Sequence, residues 1–280
     1  MIQIPVLGAF IEAAGTTIEK KILKNKKLSS NTYTTLSFLS IVAIMIPFVY
    51  FFWSVKTGAF SGWNLFLLSA ICIFSVGANL LSYYALKGEK IIDFEPIWLT
   101  QPLFTIVLAF FVYGSQGNNS VLYLALIASI TLIAAHIRKS HLNFDKYAVA
   151  LLLGNLFYAV ELVCSQEILK SISPFTLYFI RCSFILFILL LFIRPKTNGV
   201  NKKTGWLIFF VGILWVIYRM ILYYGYIAYG IFFTTTLFTL APVLLLVMAK
   251  VFLKEKMTIR QVIATIIILA CVVSAIYLNG

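Results

Sequence analysis

Ten long apolar runs separated by short polar connections constrain this chain more than any other feature. They cover about 2–19, 32–53, 62–86, 91–112, 120–137, 146–168, 174–193, 205–228, 231–253 and 257–278. A helix needs roughly 20 apolar residues to cross a hydrocarbon core of about 30 Å, and each run is at or near that length. Of the 280 residues only 11% are charged and 62% are apolar, with a mean hydropathy of +1.00. A soluble domain carries about 25% charged residues, so this composition cannot cover a water-facing surface. The fold class expected is an all-α membrane protein with ten transmembrane helices. The first run, MIQIPVLGAFIEAAG, has no basic leader and holds Glu12, so it reads as a membrane helix and not a cleaved signal.

The net charge of +13 would suggest a nucleic-acid partner in a soluble protein. Here nearly all Lys and Arg fall between the apolar runs, so no nucleic acid is expected. Counted in order, the odd connections hold seventeen basic residues, among them Lys20, Lys21, Lys87, Lys139, Lys202 and Lys254. The even ones hold only Lys56 and Lys170. This positive-inside bias puts the odd connections in the cytoplasm and both termini on the non-cytoplasmic side of the plasma (cytoplasmic) membrane. Cys72, Cys164, Cys182 and Cys271 all lie inside apolar runs without CxxC spacing, so they read as packing residues. No metal and no cofactor are expected.

The chain repeats itself. Gly8–Phe38 aligns with Gly154–Phe184 at an offset of 146, Gly62-Trp63 with Gly205-Trp206 and Tyr83 with Tyr226 at 143, and Pro102 with Pro242 at 140. The units are residues 1–140 and 141–280, five helices each. Five is odd, so the two copies insert with opposite topology. The basic first connection accordingly pairs with the nearly bare sixth. Two inverted-topology repeats allow a central site to open alternately to either side, which makes a carrier the expected class.

The last hairpin carries a mid-helix Pro242, the turn Lys254-Glu255-Lys256-Met257-Thr258, Gln261 and a small-aliphatic run to Ala270. It resembles the closing signature of an EamA-type repeat of the drug/metabolite transporter superfamily. Ser115 stands where the second copy has Glu255, and Ala264 where the pattern usually has glycine. The resemblance implies a ten-helix carrier with a midplane cavity walled by helices 3, 4, 8 and 9. It also implies gating by helices 1, 2, 6 and 7, with 5 and 10 peripheral, in a monomer or homodimer. The superfamily handles amino acids, nucleotide sugars, cations and drugs, so the motif leaves the substrate open.

Charges inside apolar spans cost about 2.5–3.5 kcal/mol each on insertion scales, so they face protein or a cavity. The clear cases are Glu12, Glu161, Arg181 and Arg219, with Glu95 one turn inside span 4. Glu19, His136 and Lys250 lie near span ends and are expected to snorkel. On span 8, Arg219, Tyr223 and Tyr226 share one face. Span 3 offers Asn79 and Tyr83, span 4 Glu95, Trp98 and Gln101, span 6 Tyr158, and span 9 Thr235 and Thr239. Pro102 and Pro242 are the expected helix bends. Each candidate also has a plainer reading. Arg181 and Arg219 can pair with Glu161, the tyrosines can be interfacial, and the threonines can back-bond to their own helix.

Taken together as a site, Arg219 would hold a carboxylate, while glutamates and aromatic faces suit an ammonium. The reading favoured is a secondary transporter of amino acids or related zwitterions by alternating access. The second reading is a carrier of organic cations such as quaternary amines, using aromatic and Glu groups. A lipid-handling or non-transporting membrane protein is the third. The small-molecule substrate and the lipid bilayer are the partners expected. Proton-coupled export is conceivable, with Glu12 and Glu161 as proton carriers. No HExxH, GxSxG or paired-aspartate motif is present, so no enzyme is expected. The orientation is checked by a reporter fused after Gly280: it should be active outside the cytoplasm, and a cytoplasmic signal overturns the charge argument.

Overall fold

A computed structural model of the chain describes residues 3–25, 27–88, 97–98, 100–114, 119–136, 146–193, 195, 200–241, 244 and 259–279. Among these residues the regular elements are all helices, with one isolated β-bridge. We label the helices α1 (Gln3–Leu23), α2 (Ser30–Phe52), α3 (Gly62–Gly88), α4 (Thr100–Tyr113), α5 (Asn119–His136), α6 (Lys146–Ile168), α7 (Pro174–Ile193), α8 (Lys202–Phe238) and α9 (Ile259–Asn279). Five of them, α2, α3, α6, α7 and α8, are long and apolar enough to cross a membrane.

Nine named helices, not ten, stand among the described residues. The difference lies at Gly230, where φ 79 and ψ 170 break α8 into two arms without ending the chain of turns. A left-handed φ of this kind is open to glycine and strained for other residues. The eighth and ninth apolar runs thus meet head to tail at a single residue, with no polar connection between them. Pro242, expected as the bend of that region, lies outside the described residues, as do Glu95 and the Lys254-Glu255-Lys256 turn.

The helix pairs are read from which residues meet. Gly77 lies against Phe157, Gly154 against Ser82, and Gly88 against Tyr147, so α3 and α6 run antiparallel in close contact. Gly8 meets Ile221 and Gly15 meets Trp215, so α1 and α8 do the same. These are the two most extensive helix pairs, together with α5 on α9. Exchanging the two halves of the chain turns α3–α6 into α8–α1, and each pair joins one half to the other.

The two ends of the bundle are tied differently. At one end Ser54 N–H donates to Thr176 Oγ1 (3.0 Å), and Val55 pairs with Ile172 in an isolated antiparallel bridge. The C-terminus of α2 therefore touches the N-terminus of α7, and those two helices also run antiparallel. The opposite end is basic. There Lys20 Nζ donates to the Leu86 carbonyl (2.6 Å) and Lys87 Nζ to that of Leu28. A compact apolar cluster fills this basic end, built from Ile22, Leu23, Leu28, Leu86, Leu151 and Val211, with Val200 packed on it. It is separate from the main core, which fills the rest of the bundle. Asn155 on α6 holds the entry to α4, donating to the Ile97 carbonyl (2.6 Å) and Thr100 Oγ1 (3.0 Å).

Small residues set how near α3 and α6 can come. A Cβ on Gly154 would sit 2.9 Å from Ser82 Oγ and 3.4 Å from the Ala78 carbonyl oxygen. Leucine there must push the helices apart, so Gly154→Leu should destabilise the detergent-solubilised protein by about 1–3 kcal/mol. Gly205, with open space where its Cβ would go, is the control: Gly205→Ala should leave thermal unfolding nearly unchanged.

Candidate functional site

Three charges from three helices meet inside the bundle. Glu161 is fully buried on α6, about 22 Å along the helix from Lys146 at 1.5 Å per residue. Arg181 on α7 places Nε 3.4 Å from Glu161 Oε1, and Arg219 on α8 places a terminal nitrogen 3.3 Å from Oε2. Tyr223 OH donates to Oε1 at 3.0 Å and Ser165 Oγ at 3.1 Å. Arg181 Nε also donates to Ser75 Oγ on α3 at 2.6 Å. The network therefore spans both halves of the chain. Two guanidiniums face one carboxylate, leaving a net positive charge that three tyrosine rings help to stabilise. Arg219 lies 5.4 Å from the ring centroid of Tyr223 and 5.9 Å from those of Tyr178 and Tyr218, within the range of cation–π attraction.

Beside this network lies a cavity. Eight of the residues expected from the sequence line it: Glu12, Asn79, Tyr83, Trp98, Gln101, Tyr158, Arg181 and Arg219. A second cavity adds Pro102, Tyr226 and Thr235 and shares Glu12, Trp98 and Gln101 with the first, so the two adjoin. Its other walls include Leu222 and Phe238.

Other expected residues stand elsewhere. Glu161 and Tyr223 are buried behind the wall and act on Arg219, with no surface on either cavity. Thr239 lines neither; its hydroxyl back-bonds to the Thr236 carbonyl (2.6 Å). Tyr224 is exposed on the outside of the bundle, as an interfacial tyrosine would be, while its neighbours Tyr223 and Tyr226 are buried. Glu95 and Pro242 lie outside the described residues.

The cavity lining holds both a carboxyl group, Glu12, and a guanidinium, Arg219. Glu12 lines both chambers, as does Tyr218, and Arg219 lines the larger one. Much of the remaining lining is aromatic: Trp98 stands edge-to-face on Tyr158 at 6.0 Å, and Trp215 on Tyr218 at 5.1 Å. The Tyr158 hydroxyl is spent on Asn79 Oδ1 (2.6 Å), and the Asn79 amide on the Ser75 carbonyl (2.8 Å). Gln101 donates to Thr105 Oγ1 (3.0 Å). Such a lining can hold opposite charges and offers apolar faces as well.

Glu19 departs from expectation. It does not snorkel: it is buried at 3% exposure, and Oε1 accepts from Tyr83 OH (2.8 Å), Tyr33 OH (2.9 Å) and Trp215 Nε1 (2.7 Å). Sequence reasoning missed this cluster, along with Trp215, Tyr218 and Tyr178 as wall residues. One signal was available: Glu19 follows Glu12 by seven residues and Trp215 precedes Arg219 by four, so each shares a helix face with a recognised candidate.

The model of the EamA-like transporter family matches twice, at residues 2–138 and 145–277. No curated protein matches the sequence. Among solved structures 29 chains match. One, described only as "Crystal structure of protein", is 15% identical, covers 99% of this chain and 97% of its own, and superposes with a TM-score of 0.73. At that identity the likeness establishes the fold alone. Two family matches account for nearly the whole chain, and the protein belongs to the EamA-like transporter family.

Proposed function

We infer that the protein moves a small zwitterion of the amino-acid type across the cytoplasmic membrane by alternating access. The observation that carries this reading is the presence of both Glu12 and Arg219 in the lining of one cavity, together with the aromatic rings of Trp98, Tyr158 and Tyr218. Arg219 takes the carboxylate, Glu12 the ammonium, and the Trp98, Tyr158 and Tyr218 rings the apolar part. Two five-helix units, residues 1–140 and 141–280, are inverted with respect to each other. The antiparallel courses of α2 and α7, and of α3 and α6, support that inversion. Ten spans follow once α8 is counted as two arms about Gly230. The basic end is cytoplasmic, both termini are outside, and the unit is a monomer or homodimer.

One observation favours an organic cation instead. Arg219 is already engaged by Glu161 and three rings, and a cation needs only Glu12 and the aromatic wall. The two readings separate in proteoliposomes loaded with Arg219→Ala. Zwitterion carriage predicts loss of amino-acid uptake; cation carriage predicts that tetramethylammonium uptake continues.

The same variant tests what holds the site together. Arg219→Ala leaves the Arg181–Glu161 pair intact, so the folded yield should match the wild type. Glu161→Gln leaves two buried guanidiniums facing each other without a counter-charge, which should destabilise by about 3–5 kcal/mol. Thermal unfolding of both variants checks the order. Equal stability would mean that the network does not hold the charges as described.

A further inference from the structure

We propose that Glu19 is a proton-binding site of this protein, separate from Glu12 in the cavity and from the Glu161 network. Glu19 and Glu161 are both buried carboxylates, but their surroundings differ in kind. Glu161 sits between two guanidiniums within 3.5 Å, a setting that keeps a carboxylate ionised. Glu19 receives only neutral donors, the hydroxyls of Tyr33 and Tyr83 and the indole N–H of Trp215.

The groups that face it come from three other helices. From α2 comes Tyr33, from α3 Tyr83, and from α8 Trp215. The cations nearest in sequence on α1 and α3 turn elsewhere, Lys20 to the Leu86 carbonyl and Lys87 to that of Leu28. Among the described residues no Lys, Arg or His makes an ion pair with Glu19. All three donors converge on Oε1, and Oε2 accepts no hydrogen bond among the described residues.

Three neutral donors stabilise an anion in part, while an apolar surrounding favours the neutral acid. With no fixed counter-charge, both forms are available. A proton then binds Oε2 without breaking the three bonds to Oε1. Its source is water in the cavity, which Glu19 reaches through its own partners. Tyr83 and Trp215 line the cavity and hydrogen-bond Glu19 at the same time. On the other side the apolar cluster of Ile22, Leu23, Leu28 and Leu86 closes the basic end. Glu19 is thus placed at the junction of α1, α2, α3 and α8, where a change of charge acts on both halves of the chain. A role in coupling rests on the carrier reading above; proton binding does not, and it is read without substrate.

Infrared difference spectra of the detergent-solubilised full chain, taken through a pH titration, report the carbonyl stretch of protonated carboxyls. The wild type should show a buried-carboxyl band that vanishes on alkalinisation. Glu19→Gln should lack that band and Glu12→Gln should keep it. A folded Glu19→Gln protein with an unchanged band, or a wild type with none, overturns the proposal. Where Glu19→Gln does not fold, Trp215→Phe serves instead, because losing one donor to Oε1 must move the band's frequency; an unmoved band overturns the proposal equally. Loss of amino-acid uptake in Arg219→Ala with no Glu19 band would sink this site alone; a Glu19 band with neither amino-acid nor tetramethylammonium uptake by the wild type would sink the carrier reading alone.

Discussion

The contact on which the rest depends is the one between Glu161 and two arginines. A single buried carboxylate draws in Arg181 and Arg219 from α7 and α8, and Arg181 reaches on to Ser75 of α3. Apolar packing in a membrane gives little preference for one helix register over another, since lipid tails are as apolar as leucine. Buried charge does. Each of these side chains is costly to leave alone, so α6, α7 and α8 have one arrangement that satisfies all three. Once it is made, Arg219 stands on the cavity wall with its guanidinium fixed, and the Tyr178, Tyr218 and Tyr223 rings are fixed around it.

A second constraint operates at the other end of the cavity. Glu19 gathers Tyr33, Tyr83 and Trp215, so α1, α2, α3 and α8 converge there. The α8 helix takes part in both clusters, through Trp215 and Arg219, four residues apart on one face. A shift of α8 therefore acts on both ends at once. Carriers that open alternately need that kind of connection between their two ends, and it follows here from helical periodicity. The break at Gly230 lies beyond both clusters, so the second arm of α8, which carries Thr235 and Phe238 to the smaller cavity, can be set at its own angle.

Much of this was legible in the sequence, for reasons that can be named. Apolar run lengths are dictated by the bilayer, and so the helices were readable. The sequence separates two runs at Gly230, whereas in the structure the turns continue through that glycine, because a tight glycine joint needs no polar connection. Glu161, Arg181 and Arg219 were readable because a charge in mid-span has few explanations. Their pairing was an open alternative, since spacing along three helices does not say which faces meet. Glu19 was misread for a related reason. Four residues from the end of α1, it looks like a side chain able to reach water, and its partners lie 14, 64 and 196 residues away. Only the packing of α1 against α8, permitted by Gly8 and Gly15, encloses it. Thr239 shows the opposite error: a hydroxyl on a promising face that is satisfied by its own helix.

The central claim is that the cavity walled by Asn79, Tyr158 and Arg219 is the passage itself and opens to each side in turn. Its most direct test is the accessibility of one engineered thiol on that wall. In a background with Cys72, Cys164, Cys182 and Cys271 replaced by serine or alanine, Asn79→Cys is exposed to a membrane-impermeant maleimide from either face of sealed vesicles. Alternating access predicts labelling from both faces, slowed on both by a transported ligand. Labelling from one face only, or from neither while the protein is folded, would contradict it.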